Sequence, residues 1–116
     1  MRALRSTVLF FLVAAVVSCR SRVVEVNLIN TSSQPVSLVV IDYPGATFGV
    51  NTLNAGATYR YAIKPQGTGP LKVQFADAEG HSHNYTGPAL HKNDEGAVTV
   101  KLTQDGATAE MNFAHR

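Results

Sequence analysis

Residues 98–113 read VTVKLTQDGATAEMNF, and their alternation decides the fold class. Val98, Val100 and Leu102 alternate with Thr99, Lys101 and Thr103. Beyond Asp105-Gly106, Ala107, Ala109, Met111 and Phe113 alternate with Thr108, Glu110 and Asn112. A period of two places the two sets on opposite faces of a strand. Asp-Gly is a preferred pair for a two-residue type I′ turn, which makes the stretch a β-hairpin.

The same alternation recurs upstream. Leu71, Val73 and Phe75 alternate with Lys72 and Gln74, and Asp77-Ala78-Glu79-Gly80 reads as a hairpin turn with glycine left-handed. His81 to Thr86 is the polar returning strand, expected at a sheet edge. Gly87 to Gly96 reads as irregular. Tyr59, Tyr61 and Ile63 alternate with Arg60, Ala62 and Lys64 and form an inward stripe. Ala46 to Val50 reads as a short strand, with LNAGAT (53–58) and the Gly- and Pro-rich 65–70 as loops. Val36 to Tyr43 is apolar on both faces, which suits a central strand, and Pro44-Gly45 ends it. Val24, Val26 and Leu28 lie in a first strand over 22–30, followed by the turn-like NTSSQP (30–35).

Strands at intervals of about 8 to 12 residues predict a two-sheet sandwich and not a βαβ fold. The expectation is all-β: a sandwich of about 7–8 antiparallel strands over residues 22–116, after a cleaved signal peptide. The strand pattern resembles small immunoglobulin-like envelope domains. It lacks the Trp and the Cys pair of antibody domains, and such a likeness carries no function.

The start of the chain, MRALRSTVLFFLVAAVVS (1–18), has Arg2 and Arg5 ahead of an apolar run from Val8 to Val17. Ten apolar residues are an h-region length; about 20 are needed to span a bilayer. Val16-Val17-Ser18-Cys19 resembles the lipobox of bacterial lipoprotein precursors. The resemblance implies cleavage before Cys19, a diacylglycerol on its thiol, and palmitate-type acylation of the new amino terminus. Residues 19–21 then form a short tether. Cys19 is the sole Cys of the 116 residues, so neither an internal disulfide nor a Cys-built zinc site is available. Arg20, and not Asp, follows Cys19. In a two-membrane bacterium the resemblance then implies the outer membrane.

Cleavage would leave eight Lys/Arg against eight Asp/Glu, a neutral mature chain with no Lys/Arg run. Nucleic-acid binding needs a basic face and is not expected. His81 and His83 are two apart on one strand, with Asp77 and Glu79 just before them and His91 and His115 elsewhere. Imidazole with carboxylate would suit zinc or copper, but two ligands on one strand do not complete a site. A blue-copper centre would need a thiolate, and Cys19 is taken by the lipid. No G-x-S-x-G or comparable nucleophile signature occurs, and Gly67-Thr68-Gly69 is too short for a phosphate loop. Asp94-Glu95 beside Lys92 reads as a solvated turn. Asn30-Thr31-Ser32 and Asn84-Tyr85-Thr86 match the N-glycosylation pattern, which a bacterial lipoprotein carries by chance.

No catalytic residue, resident metal or cofactor is therefore expected. The expected function is a non-catalytic envelope lipoprotein, held to the membrane through Cys19, that binds or scaffolds another envelope protein or polymer. The alternative is a zinc- or copper-binding lipoprotein using His81 and His83, with Asp77, Glu79 or His91.

Overall fold

A computed structural model describes residues 22–114. Residues 1–18, Cys19, the tether to residue 21, and His115 lie outside them. The strands are β1 (Val24–Asn30), β2 (Val36–Tyr43), β3 (Ala46–Leu53), β4 (Thr58–Ile63), β5 (Gly69–Ala76), β6 (Ser82–Leu90), β7 (Gly96–Leu102) and β8 (Ala107–Phe113). They form two four-stranded sheets, β4-β1-β7-β8 and β3-β2-β5-β6, and no helix occurs among the described residues.

The alternating apolar residues close one core between the sheets. Val24, Val26, Leu28, Val98, Val100 and Leu102 come from one sheet, and Leu71, Val73 and Phe75 from the other. All nine are at most 2% exposed. The sheets approach most closely where edge strands β6 and β8 meet.

Two fold expectations need correction. The strands are not all antiparallel: β1 runs parallel to β7, with Val26 beside Val98 and Leu28 beside Val100. The chain traverses the whole second sheet between them, and such a long crossover is what a parallel pair requires. The immunoglobulin order, with strands one, two, five and four in one sheet, is also not the one found. Here β1 and β2 lie in different sheets.

Local departures have local causes. In β2, Val36, Val39 and Ile41 are buried while Leu38 is 65% exposed. Leu38 has φ +52°, and the register against β5 slips by one residue between Ser37 and Val40. A β-bulge therefore swaps the faces of the strand midway. β6 continues through Gly87 and Pro88 to the buried Leu90, where irregular chain was expected. It is an edge strand with a register shift opposite Pro70–Lys72, and such positions tolerate proline.

The β7–β8 connection is also not a type I′ turn at Asp105-Gly106. The Thr103 N–H donates to Gly106 O at 2.8 Å, and the Thr103 hydroxyl oxygen accepts the Gly106 N–H at 3.1 Å. The loop residues are thus Gln104-Asp105. Type I′ would need positive φ at both of its central residues, and Asp105 does not have it.

Tyr59 and Tyr61 face the inter-sheet space, opposite Leu28 and Val26, yet stay 38% and 41% exposed. They sit on edge strand β4, where the sandwich opens toward edge strand β3. Phe48 of β3 bridges the gap, stacked on Tyr61 at 4.3 Å between ring centres and on Tyr59 at 6.4 Å. Burial raises the Tyr43 phenol above its ordinary pKa, with a smaller push from Tyr61.

Candidate functional site

The strand directions give the domain two poles. At one lie the start of β1 and the residues just before β7 and just after β4. At the other lie the turns β1–β2, β5–β6 and β7–β8. The histidine-carboxylate group belongs to the second pole, far from the side where the chain enters.

Asp77 organises the β5–β6 turn. Its Oδ1 accepts the N–H groups of Glu79 and His81, both at 2.9 Å. Its N–H donates to His81 O at 2.9 Å, and its carbonyl accepts the Gly80 N–H at 3.0 Å. Gly80 takes φ +86°, the left-handed position expected of it. The other carboxylate oxygen, Oδ2, lies 2.9 Å from His83 Nε2 and 3.7 Å from His81 Nδ1. His81 Nδ1 is 3.8 Å from Glu79 Oε2.

The His83 hydrogen bond, followed by the His81 backbone N–H, holds the Asp77 carboxyl below its usual range. The His83 ring also stacks on buried Phe75 at 5.0 Å. His83 is thus fixed on both sides, whereas the His81 side chain is 72% exposed.

Asp77, Glu79, His81 and His83 line one wall of an open cleft of about 320 Å³. Ser32 and Gln34 from the β1–β2 turn and Gln104 and Asp105 from the β7–β8 turn complete it. The β1–β2 turn is held by Asn30, which is fully buried. Its Nδ2 donates to Gln34 O at 2.8 Å and Leu53 O at 3.0 Å, while Oδ1 accepts the Ser32 N–H and hydroxyl. The Ser32 hydroxyl is thereby directed to Asn30 and Gln34 O. The burial of Asn30 removes it as a glycosylation acceptor.

The structure brings His81 and His83 to one carboxylate but does not bring His91 to them. His91 follows the far end of β6, roughly 30 Å along the strand at the usual rise per residue. Among the described residues, no group of three or more His, Cys, Asp or Glu side chains is arranged to hold a metal ion. Asp94 is also not solvated. It is 5% exposed, and its Oδ2 accepts the His91 N–H at 2.8 Å.

Sequence reasoning missed a cationic group at the entry pole. Arg22, Lys64 and Lys92 line a single recess there, although they are far apart in the chain. Each stands just outside a strand end, and that was the available signal.

No protein-family model matches the chain, and no curated protein is similar to it in sequence. Its fold is similar to a solved structure, the NMR structure of a protein from Eubacterium rectale, with TM-score 0.58 at 15% identity. The match covers 78% of this chain and 89% of that one. At that identity the likeness concerns the fold alone.

Proposed function

We propose that the chain is a cell-envelope lipoprotein, anchored through acylated Cys19, whose β-sandwich binds or scaffolds another envelope component without catalysis. The supporting observation is the polarity of the domain. The chain enters at the Arg22 pole, and the Asp77–His83 cleft opens at the other. A tether at Cys19 would present that cleft away from the membrane. Confinement to a surface also raises the effective concentration of neighbouring partners. Strand β6 begins beside the cleft, so His83 is carried on a strand that is fixed by the core on one side and by the closure against β8 on the other. Arg20 supports retention in the outer membrane where two membranes exist.

Mass spectrometry of the mature amino terminus tests the anchor. An acylated Cys19 is expected, and Cys19→Ser should abolish processing. Cleavage elsewhere, or an unmodified Cys19, would overturn it. Photo-cross-linking in cells from Gln104, at the cleft, tests the binding face. It should capture a specific envelope component that a cross-linker at Arg60, on an outer sheet face, does not. Submicromolar zinc or copper binding lost in His81→Ala plus His83→Ala would replace this reading with the metal-binding one.

A further inference from the structure

The entry pole carries charge that neither the fold nor the cleft uses. Arg22, Lys64 and Lys92 line a recess of about 340 Å³ together with Pro65, Gln66 and Asn93, and among the described residues no acidic side chain lines it. Among the described residues, none of the three cations makes an ion pair within 4.0 Å. Glu25, Asp94 and Glu95 stand at the same pole, but none of them is among the described residues that line the recess, so the three cations are concentrated in the recess and not over the whole pole. They come from three separate segments: the lead-in to β1, the exit of β4 and the loop before β7.

The position of this pole names its partner. Cys19 is three residues before Arg22, and three residues span at most about 11 Å. The Debye length at physiological ionic strength is about 8 Å, so even a fully extended tether leaves Arg22 within about one and a half screening lengths. With an acylated Cys19 in the bilayer, Arg22 stays within about 11 Å of it, and Lys64 and Lys92 come within reach of the headgroups when the recess they share with Arg22 faces the membrane.

From this we infer that the Arg22–Lys64–Lys92 pole docks on anionic phospholipid headgroups and holds the domain upright on the membrane. The recess takes lipid phosphates, and the Asp77–His83 cleft points outward. Each basic side chain near an anionic surface contributes about a fivefold preference. Removing two should lower the ratio of docked to undocked domain on the order of 25-fold. The inference rests on the lipid anchor proposed above.

The test uses the lipidated full chain in vesicles. With Cys19 acylated, a new cysteine carries the only free thiol. Gln66→Cys places a fluorophore at the docking pole and Gln104→Cys places one at the cleft. Headgroup-spin-labelled lipid serves as the quencher, in phosphatidylcholine vesicles with and without 30% phosphatidylglycerol, a composition chosen on the order used for anionic surfaces.

The Gln66 probe should be quenched strongly in the anionic vesicles. That quenching should fall in neutral vesicles, in about 1 M salt, where screening shortens to about 3 Å, and in Lys64→Gln plus Lys92→Gln. The Gln104 probe should stay unquenched throughout. Equal quenching of the Gln66 probe in both vesicle types, or no change in the double variant, overturns the docking while leaving the anchor intact. A chain that does not float with neutral vesicles overturns the anchor, and the docking with it.

Discussion

Asp77 Oδ2 lies 2.9 Å from His83 Nε2, while Oδ1 of the same carboxylate accepts two backbone N–H groups of the turn. One side chain thus both shapes the β5–β6 turn and grips the strand that leaves it. The grip is reinforced from below, because the His83 ring rests on Phe75 in the core.

This arrangement makes stability sensitive to acid. The folded Asp77 carboxyl ionises below its ordinary range, chiefly because of His83. The unfolded chain takes up that proton near the ordinary carboxylate value, about 3.9. Where only the unfolded state is protonated, lowering the pH favours unfolding. The contribution is complete above about pH 5, starts to fall near the unfolded value and is lost as pH falls through the folded value. Asp77→Asn keeps an oxygen acceptor for the turn but removes the charge. Its stability deficit in urea melts should be largest at neutral pH and shrink in acid. A deficit unchanged down to about pH 2.5 would show that the ionised carboxylate adds nothing.

Gly96 is required by its surroundings as well as by its backbone. It has φ +149°, and a Cβ there would strike Asn112 O and come within 2.6 Å of the Phe113 Cα. Gly80 has φ +86° with open space around it. Gly80→Ala should cost about 1–2 kcal/mol, the ordinary penalty of a left-handed residue. Gly96→Ala should cost more than about 3 kcal/mol, because β8 must move away from β7. Equal shifts in the urea midpoint for the two variants would remove the steric part of this explanation.

How much of this the chain declares depends on how local each signal is. The stripes at Val98–Leu102 and Leu71–Phe75 are legible because one face of each strand is buried, so polarity alternates. Direction of pairing leaves no such trace: nothing in residues 24–30 distinguishes a parallel partner from an antiparallel one. Leu38 looks like one more apolar residue in an apolar strand, and only its φ and exposure show the bulge. Tyr59 and Tyr61 point inward as their alternation says. Their exposure follows from β4 being an edge, which is a property of the sheet and not of the strand. The cluster of Asp77, Glu79, His81 and His83 is legible since one turn holds it. The opposite wall of the cleft, Ser32, Gln34, Gln104 and Asp105, is assembled by strand order and could not be read.

Asn30 ties together three segments. Its side chain bonds Gln34 O, Leu53 O and Ser32, and its backbone bonds Ala57 O and the Gly56 N–H. Asn30→Ala would strand the partners of a fully buried amide. Each buried group left without a partner costs about 1–3 kcal/mol, so a total loss of roughly 2–4 kcal/mol is expected. Ser32→Ala removes one hydroxyl at a partly buried position and should cost less than about 1 kcal/mol. Chemical denaturation of both variants checks the ranking. A loss below about half a kcal/mol for Asn30→Ala would mean that water replaces the amide without cost.

Leu38 offers the opposite sign. It holds φ +52° in a bulge, a conformation that disfavours any side chain with a Cβ by about 1–2 kcal/mol. Its side chain is 65% exposed and is absent from the buried core, so little burial compensates for that strain. Glycine adopts this conformation freely, although the unfolded chain also gains entropy when glycine replaces leucine. The strain relieved should exceed that entropy by a few tenths of a kcal/mol up to about 1 kcal/mol, so Leu38→Gly is expected to stabilise the domain. Leu38→Asn should behave similarly, because asparagine tolerates the left-handed region and loses less entropy. Leu38→Val should destabilise, because a β-branched residue fits that region worst. Thermal and urea melts of the three variants give the order directly. Destabilisation by both glycine and asparagine would show that the Leu38 side chain makes contacts worth more than the strain of its backbone.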